Sequence, residues 1–195
     1  MTQPIIIASL GRCGTTFIFN AIKKALKQEE SIQDSYIVDV EEYDLLEKNK
    51  VYATHDFAPK NIIEPQPKVL FLFGDIRNIV ISTYNFKGQQ HFWHMGSSYS
   101  KKDLLYTHDE LKLEERFDSW NFPHSFPLMS VRYENIFKNK KEIEEFLNIR
   151  IPWPEKIKRK TNWQLHKKGE TINRTYQNLI TKTVNLPDIK KWDIV

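Results

Sequence analysis

PIIIASLGRCGTTFIFNAIKKAL, residues 4–26, decides the fold. Its first six residues are short, apolar and β-branched, which predicts a buried strand over 4–9. Gly11 and Gly14 then interrupt any regular pattern and predict a tight loop. From Thr15 onward Ile18, Ala21, Ile22, Ala25 and Leu26 recur at helical spacing, with Thr15 and Thr16 at the cap or first turn. Strand, glycine loop and helix follow one another without a linker. In that context the loop's backbone N–H groups curl round an anion and the helix N-terminus adds partial positive charge, so phosphate or sulfate binding is the expected use.

The unit recurs downstream. KVLFLF, from Lys68 to Phe73, is apolar throughout, as in a strand covered on both faces of a parallel sheet, and Asp75 to Tyr84 turns helical. Shorter strands at Val51–Thr54 and Leu128–Arg132, and helices near 103–119 and 139–147, complete an alternation that predicts an α/β fold with a central parallel sheet flanked by helices. With 195 residues the chain is expected to be one domain, residues 1–195. Residues 86–102 read as a long functional loop.

Composition removes several classes. At 40% apolar residues with 6 glycines the chain is neither disordered nor low-complexity. The apolar run at Ile5–Ala8 is too short to span a membrane, and no leader pattern precedes it, so a cytoplasmic protein is expected. Cys13 is the single cysteine, which rules out an internal disulfide, and no metal is assigned. His91 and His94 have the spacing of a metal pair but lack further ligands; they read as loop residues beside Phe92 and Trp93, lining an acceptor site. A net charge of +4 does not call for nucleic acid as a partner. The distribution is uneven, however. Asp34, Asp39, Glu41, Glu42, Asp44 and Glu47 have no base among them, whereas Lys156, Lys158, Arg159, Lys160, Lys167 and Lys168 surround Trp163 in either a solvated face or an anion site.

The loop is not the most familiar phosphate loop, which needs GxxxxGK followed by Ser or Thr; here Gly14 directly precedes Thr15 and the only cation is Arg12. Arg12-Cys13-Gly14-Thr15-Thr16-Phe17 instead resembles the [KR]-x-G-T-T-aromatic loop of sulfotransferases that use 3'-phosphoadenosine 5'-phosphosulfate (PAPS). The resemblance implies a P-loop-like fold in which the loop amides and threonine hydroxyls hold the 5'-phosphosulfate, Arg12 stabilises the leaving oxygen and Phe17 stacks on adenine. By residue type alone Phe17 is equally plain helix core.

Three further segments fall in that family's chain order. Ala53-Thr54-His55-Asp56-Phe57-Ala58-Pro59 is similar to its Lys-Thr-His-Leu-Pro segment, which implies His55 as general base. Gly74 to Tyr84 is similar to its 3'-phosphate motif, R-x-x-R-[DN]-x-x-x-S-x-Y, through Arg77 and Ser82. Val131-Arg132-Tyr133-Glu134-Asn135 resembles a Tyr-Glu-Asp element near adenine, and Lys167-Lys168-Gly169 resembles a C-terminal clamp on the 3'-phosphate. Thr161 and Trp163 resemble the pair that frames the adenine. The sequence departs from the pattern at Gly74, where the motif's first arginine belongs, and at Ala53, where cytosolic members place lysine.

The expected function is therefore transfer of the PAPS sulfuryl group to a hydroxyl or amine of a small molecule or glycan, leaving PAP, without a metal. The reaction needs an in-line approach, a base, and cations where the leaving phosphate gains charge. Histidine suits the base, and Asp56, Glu41 and Glu42 are the alternatives. Two rival readings remain: a small P-loop nucleoside or nucleotide kinase, with Asp75 at a strand end to hold magnesium, and a non-catalytic nucleotide-binding protein on the same fold.

Overall fold

The computed structural model describes residues 3–32, 34–37, 46–60, 65–156 and 161–194. The apolar run from Ile5 forms β1 (Ile5–Ser9), every residue of it buried, because helices cover both faces of the strand. It leads through residues 10–14 into α1 (Thr15–Leu26), whose buried face carries Ile18, Phe19 and Ile22. The strands β2 (Tyr36–Ile37), β3 (Val51–Thr54), β4 (Lys68–Phe73) and β5 (Leu128–Arg132) join β1 in parallel, and a last strand, β6 (Ile189–Trp192), pairs antiparallel with β5. The six-stranded order is β2-β3-β1-β4-β5-β6. This is the expected single α/β domain with a mostly parallel sheet.

The order positions the site. The chain leaves β1 toward β2 and β3 on one side, then returns past β1 to β4 on the other, so the connections diverge between β1 and β4. In an open α/β sheet a crevice forms at such a point, outside the carboxyl ends of the strands. Pairing of Ser9 with Leu72 and of Phe73 with Arg132 brings the ends of β1, β4 and β5 to one edge.

The helical connections differ from the sequence expectation in detail. The second helix is α2 (Ile76–Tyr84), with Asp75 as its cap, its carboxylate accepting from the N–H groups of Arg77 and Asn78. Residues 86–102 are not one loop: they contain α3 (Gln90–His94) and the start of a 3₁₀ segment, Tyr99–Tyr106. The helix expected near 103–119 splits into that segment and α4 (Leu113–Trp120). The physical reason is Asp109, which accepts from the N–H groups of Leu113 and Glu114 at 2.9 Å and so starts a new helix. Burial raises the Asp109 carboxyl above its ordinary range, and these two bonds oppose the shift.

The helix expected at 139–147 is α5 (Lys140–Leu147). Sequence periodicity did not reveal α6 (Gly169–Thr175), α7 (Gln177–Asn185) or β6. Arg132, at the end of β5, fastens this C-terminal part. Its guanidinium donates to the carbonyls of Thr183 and Leu186 at 2.6 and 2.7 Å, pairs with Asp188 at 3.0 Å and lies over the Phe73 ring. Carbonyls at a helix C-terminus lack intrahelical partners, so a cation there satisfies them and favours the helix dipole. Among the described residues no helix is long and apolar enough to cross a membrane.

Candidate functional site

The loop after β1 is shaped by three residues with positive φ: Gly11 (75°), Arg12 (51°) and Gly14 (79°). Leu10 N–H donates to the Leu72 carbonyl and ties the loop to β4. Gly14 is required twice over, since a Cβ there would be strained by the left-handed backbone and would overlap the Tyr133 ring, which lies against it from the end of β5. The loop delivers α1 with no side-chain cap and no acid in its first turn. Among the described residues no side chain caps its leading N–H groups, the condition in which a helix N-terminus binds an anion.

His55 reaches this loop from the end of β3. Its Nδ1 lies 2.9 Å from Ser9 Oγ and 3.2 Å from the Ser9 carbonyl oxygen. A carbonyl only accepts, so the tautomer with its hydrogen on Nδ1 is the one that satisfies both contacts. Ser9 Oγ accepts from Gly11 N–H at 3.1 Å and lies 2.7 Å from Thr15 Oγ1. One serine hydroxyl thus joins the strand, the glycine loop, the first residue of α1 and the imidazole of a residue 46 positions away. His55 is 7% exposed, with Tyr36 edge-on at 5.4 Å; Tyr36 in turn stacks on His94 at 4.3 Å. Burial pushes the His94 imidazole below its ordinary pKa, favouring its neutral form.

Behind His55 stands Arg116, which sequence reading missed. It is 3% exposed, and its Nη1 donates to the His55 carbonyl at 2.6 Å and to Asp56 Oδ1 at 3.1 Å, while Nε donates to the Leu111 carbonyl at 3.0 Å. Its guanidinium also covers the Phe57 ring. Desolvation pulls the Arg116 pKa down and the Asp56 carboxylate opposes it. Asp56 accepts from Phe57 N–H as well, at 2.7 Å, so the carboxylate considered as an alternative base is engaged in holding the β3 end. A signal was present: Arg116 falls on the apolar face of α4 with Leu113, Phe117 and Trp120, where an arginine needs buried partners.

The remaining expected residues fall into two groups. In the first, Arg12 projects from the loop onto α2, donating from Nε to Ser82 Oγ at 3.2 Å with its guanidinium 4.4 Å above the Phe86 ring. Cys13 is buried in the loop, Thr15 is buried at the start of α1 and Thr16 is exposed beside it. In the second, Arg77 lies 3.9 Å above the Trp163 ring, and Asn78 Oδ1 accepts from Trp163 N–H at 3.0 Å. Gly169 packs on Trp163 so closely that a Cβ would stand 2.6 Å from the Trp163 carbonyl. Lys167 and Lys168 are exposed beside it, and Thr161 is half-buried before it. Ser82 therefore stands with Arg12, and Arg77 with Trp163, although one motif predicts both.

Phe17 packs on Phe137 at 5.4 Å. Phe92 is fully buried against Tyr99 while Trp93 is exposed, so only one of that pair is open to an acceptor. The His91 side chain and the whole of Glu41 and Glu42 lie outside the described residues. Among the described residues no three or more His, Cys, Asp or Glu side chains gather into a metal site.

No known family or characterised protein matches this chain. The carboxyl edge of the sheet brings together a glycine-shaped loop that opens a helix without a side-chain cap, Arg12 in that loop and the His55 imidazole bonded to Ser9.

Proposed function

We propose that the protein is a sulfotransferase that moves the sulfuryl group of a nucleoside 5'-phosphosulfate, the PAPS of the family its motifs resemble, to an acceptor hydroxyl or amine. The observation that carries this reading is the bridge from His55 Nδ1 through Ser9 Oγ to Thr15, which holds a base against an anion-receptive loop. The residues present fit the phosphosulfate end of such a donor. The N–H groups of the Gly11–Gly14 turn and of the first turn of α1 would hold its oxygens, and Thr15 and Thr16 would add hydroxyl donors. Bound there, the donor supplies an activated sulfuryl group whose departure leaves negative charge on a phosphate oxygen.

The protein's part is positional and electrostatic. Arg12, at the loop tip, would meet the charge that grows on the leaving oxygen, a contribution strongest in the transition state. His55 Nε2 would take the proton of the acceptor, and the Ser9 contacts to Nδ1 would hold the ring hydrogen there so that Nε2 acts as the base. Arg116 holds the His55 backbone from behind and is a positioning residue. No observation favours the kinase reading: the Asp75 carboxylate, on which magnesium would depend, caps α2 and pairs with Arg77 at 2.7 and 3.0 Å.

The test is a transfer assay with PAPS and a panel of phenols, sugars and amines, comparing the wild type with Arg12→Ala. Turnover should fall by about 10²-fold or more while nucleotide affinity changes by less than about tenfold, because the lost interaction grows in the transition state. Unchanged turnover removes the role of Arg12, and no transfer to any acceptor counts against the enzyme reading.

A further inference from the structure

A cavity of about 510 Å³ lies between two connections, residues 57–60 after β3 and residues 119–125 from the end of α4 toward β5. None of its lining residues belongs to the proposed transfer centre. The two walls are fastened to each other. Ala58 N–H donates to Ser119 Oγ at 3.1 Å, Trp120 Nε1 donates to the Asp56 carbonyl at 2.9 Å, and Ser119 Oγ donates in turn to the Arg116 carbonyl at 2.8 Å. The fold itself therefore forms the cavity, and its volume falls in the range of small-molecule sites.

Most of the lining is apolar: Phe57, Pro59, Phe122 and Pro123 offer flat rings, and Phe122 is 48% exposed. Three polar groups around it lack partners among the described residues. His124 is 4% exposed, between the rings of Phe122 and Phe126, and its Nε2 has no hydrogen-bond partner; nor has Oγ of the neighbouring Ser125. The Ser119 backbone favours a hydrogen on the ring, and with Nε2 unpartnered that hydrogen falls to Nδ1. Nε2 of the neutral ring is then an acceptor without a donor. Lys60, the one charged side chain on the lining, is exposed and forms no ion pair, and no acid stands among the lining residues.

We propose that this cavity binds a planar aromatic carboxylate bearing a ring hydroxyl or amino group. The ring would lie against Phe57 and Phe122, the ring substituent would donate to His124 Nε2 with Ser125 Oγ beside it, and the carboxylate would meet Lys60. Each part of the ligand answers a group of the lining. Flat rings favour a flat partner that packs on them face or edge. A buried acceptor without a donor is costly to the free protein, so an N–H or O–H supplied there gains more than the same bond on the surface. A cation with no acid facing it selects an anion. An aliphatic acid would bring the charge but neither the flat face nor the donor. The site makes and breaks no covalent bond, and it stands independently of the sulfotransferase reading.

Calorimetric titration of the full chain with para-hydroxybenzoate tests this. Para-fluorobenzoate keeps the ring and the carboxylate without the donor, and para-hydroxybenzamide keeps the ring and the donor without the charge. The hydroxy acid should bind with a Kd of about 1 mM or lower, and each analogue at least about fivefold more weakly. His124→Phe keeps a ring between Phe122 and Phe126 and should erase the preference over the fluoro acid. Lys60→Ala, at an exposed position, should erase the preference over the amide. Arg12→Ala should leave all three affinities unchanged, because the cavity is not the glycine loop. No binding of the hydroxy acid at about 5 mM, or equal affinity for the hydroxy and fluoro acids in the wild type, overturns the proposal. So does a preference that survives His124→Phe or Lys60→Ala, or a loss of binding in Arg12→Ala. If His124→Phe does not fold, the wild-type comparison and Lys60→Ala decide. Every readout is binding alone, so a negative result leaves the sulfotransferase reading standing, and absence of transfer leaves this site standing.

Discussion

Replacing Arg116 by methionine tests how the candidate base is held. Methionine follows the stem of the arginine and leaves little cavity, so the loss comes from the guanidinium. Two carbonyls, those of His55 and Leu111, lose their donor within a buried region, at a cost of about 1–3 kcal/mol each. Asp56 loses its ion pair, but its side chain is 28% exposed and regains part of its hydration. The two together cost about 2–6 kcal/mol, which brackets the roughly 3–5 kcal/mol found when one partner of a buried pair is removed. For a domain of this size that lowers Tm by about 10 °C. Urea unfolding followed by tryptophan fluorescence should show the loss in the midpoint, with the slope unchanged. Arg116→Lys keeps the charge without the fork and should recover less than half of it. A loss below about 1 kcal/mol in Arg116→Met would refute the reasoning, because the carbonyls of His55 and Leu111 would then have found other donors.

Two further outcomes follow from the same geometry. His55→Ala should retain nucleotide binding while sulfuryl transfer falls by roughly 10²- to 10⁴-fold, and near-normal transfer in the folded variant would exclude His55 as the base. His124 is buried between Phe122 and Phe126, with ring centroids 4.3 and 4.7 Å away, and desolvation depresses its pKa against a smaller opposing bond to the Ser119 backbone. The unfolded chain then binds a proton that the folded chain refuses, so stability is full above about pH 6.5 and falls as pH drops below it. Denaturant unfolding at pH 7.5 and 5.5 should show a loss up to about 1.4 kcal/mol larger in the wild type than in His124→Phe; equal losses would place the titration elsewhere.

Residues 4–26 determined the strand, loop and helix by themselves, because hydrophobic period and glycine position act within one segment. The same logic made β3, β4, β5, α2 and α5 legible. Local sequence also marked Arg12, Gly14, Thr15 and His55 as residue types suited to anion and proton chemistry. What lay beyond local reading was who meets whom. The β1–β4 neighbourhood follows from sheet order, and only that order sets His55 against Ser9 across 46 residues and lays Tyr133 on Gly14. Hidden too were the short helices α6 and α7, which pack on α2 with Arg132 holding the end of α7, and the edge strand β6, which is held by its pairing with β5 rather than by its own periodicity. The same holds for charge. Sequence counts Arg77 as an available cation and Asp75 as an available acid, but the folded chain pairs them with each other and turns Glu134 toward Gly74, because a half-buried charge is stable only beside its opposite. Composition and spacing supplied the inventory of groups, and tertiary packing decided which of them remain open to a ligand.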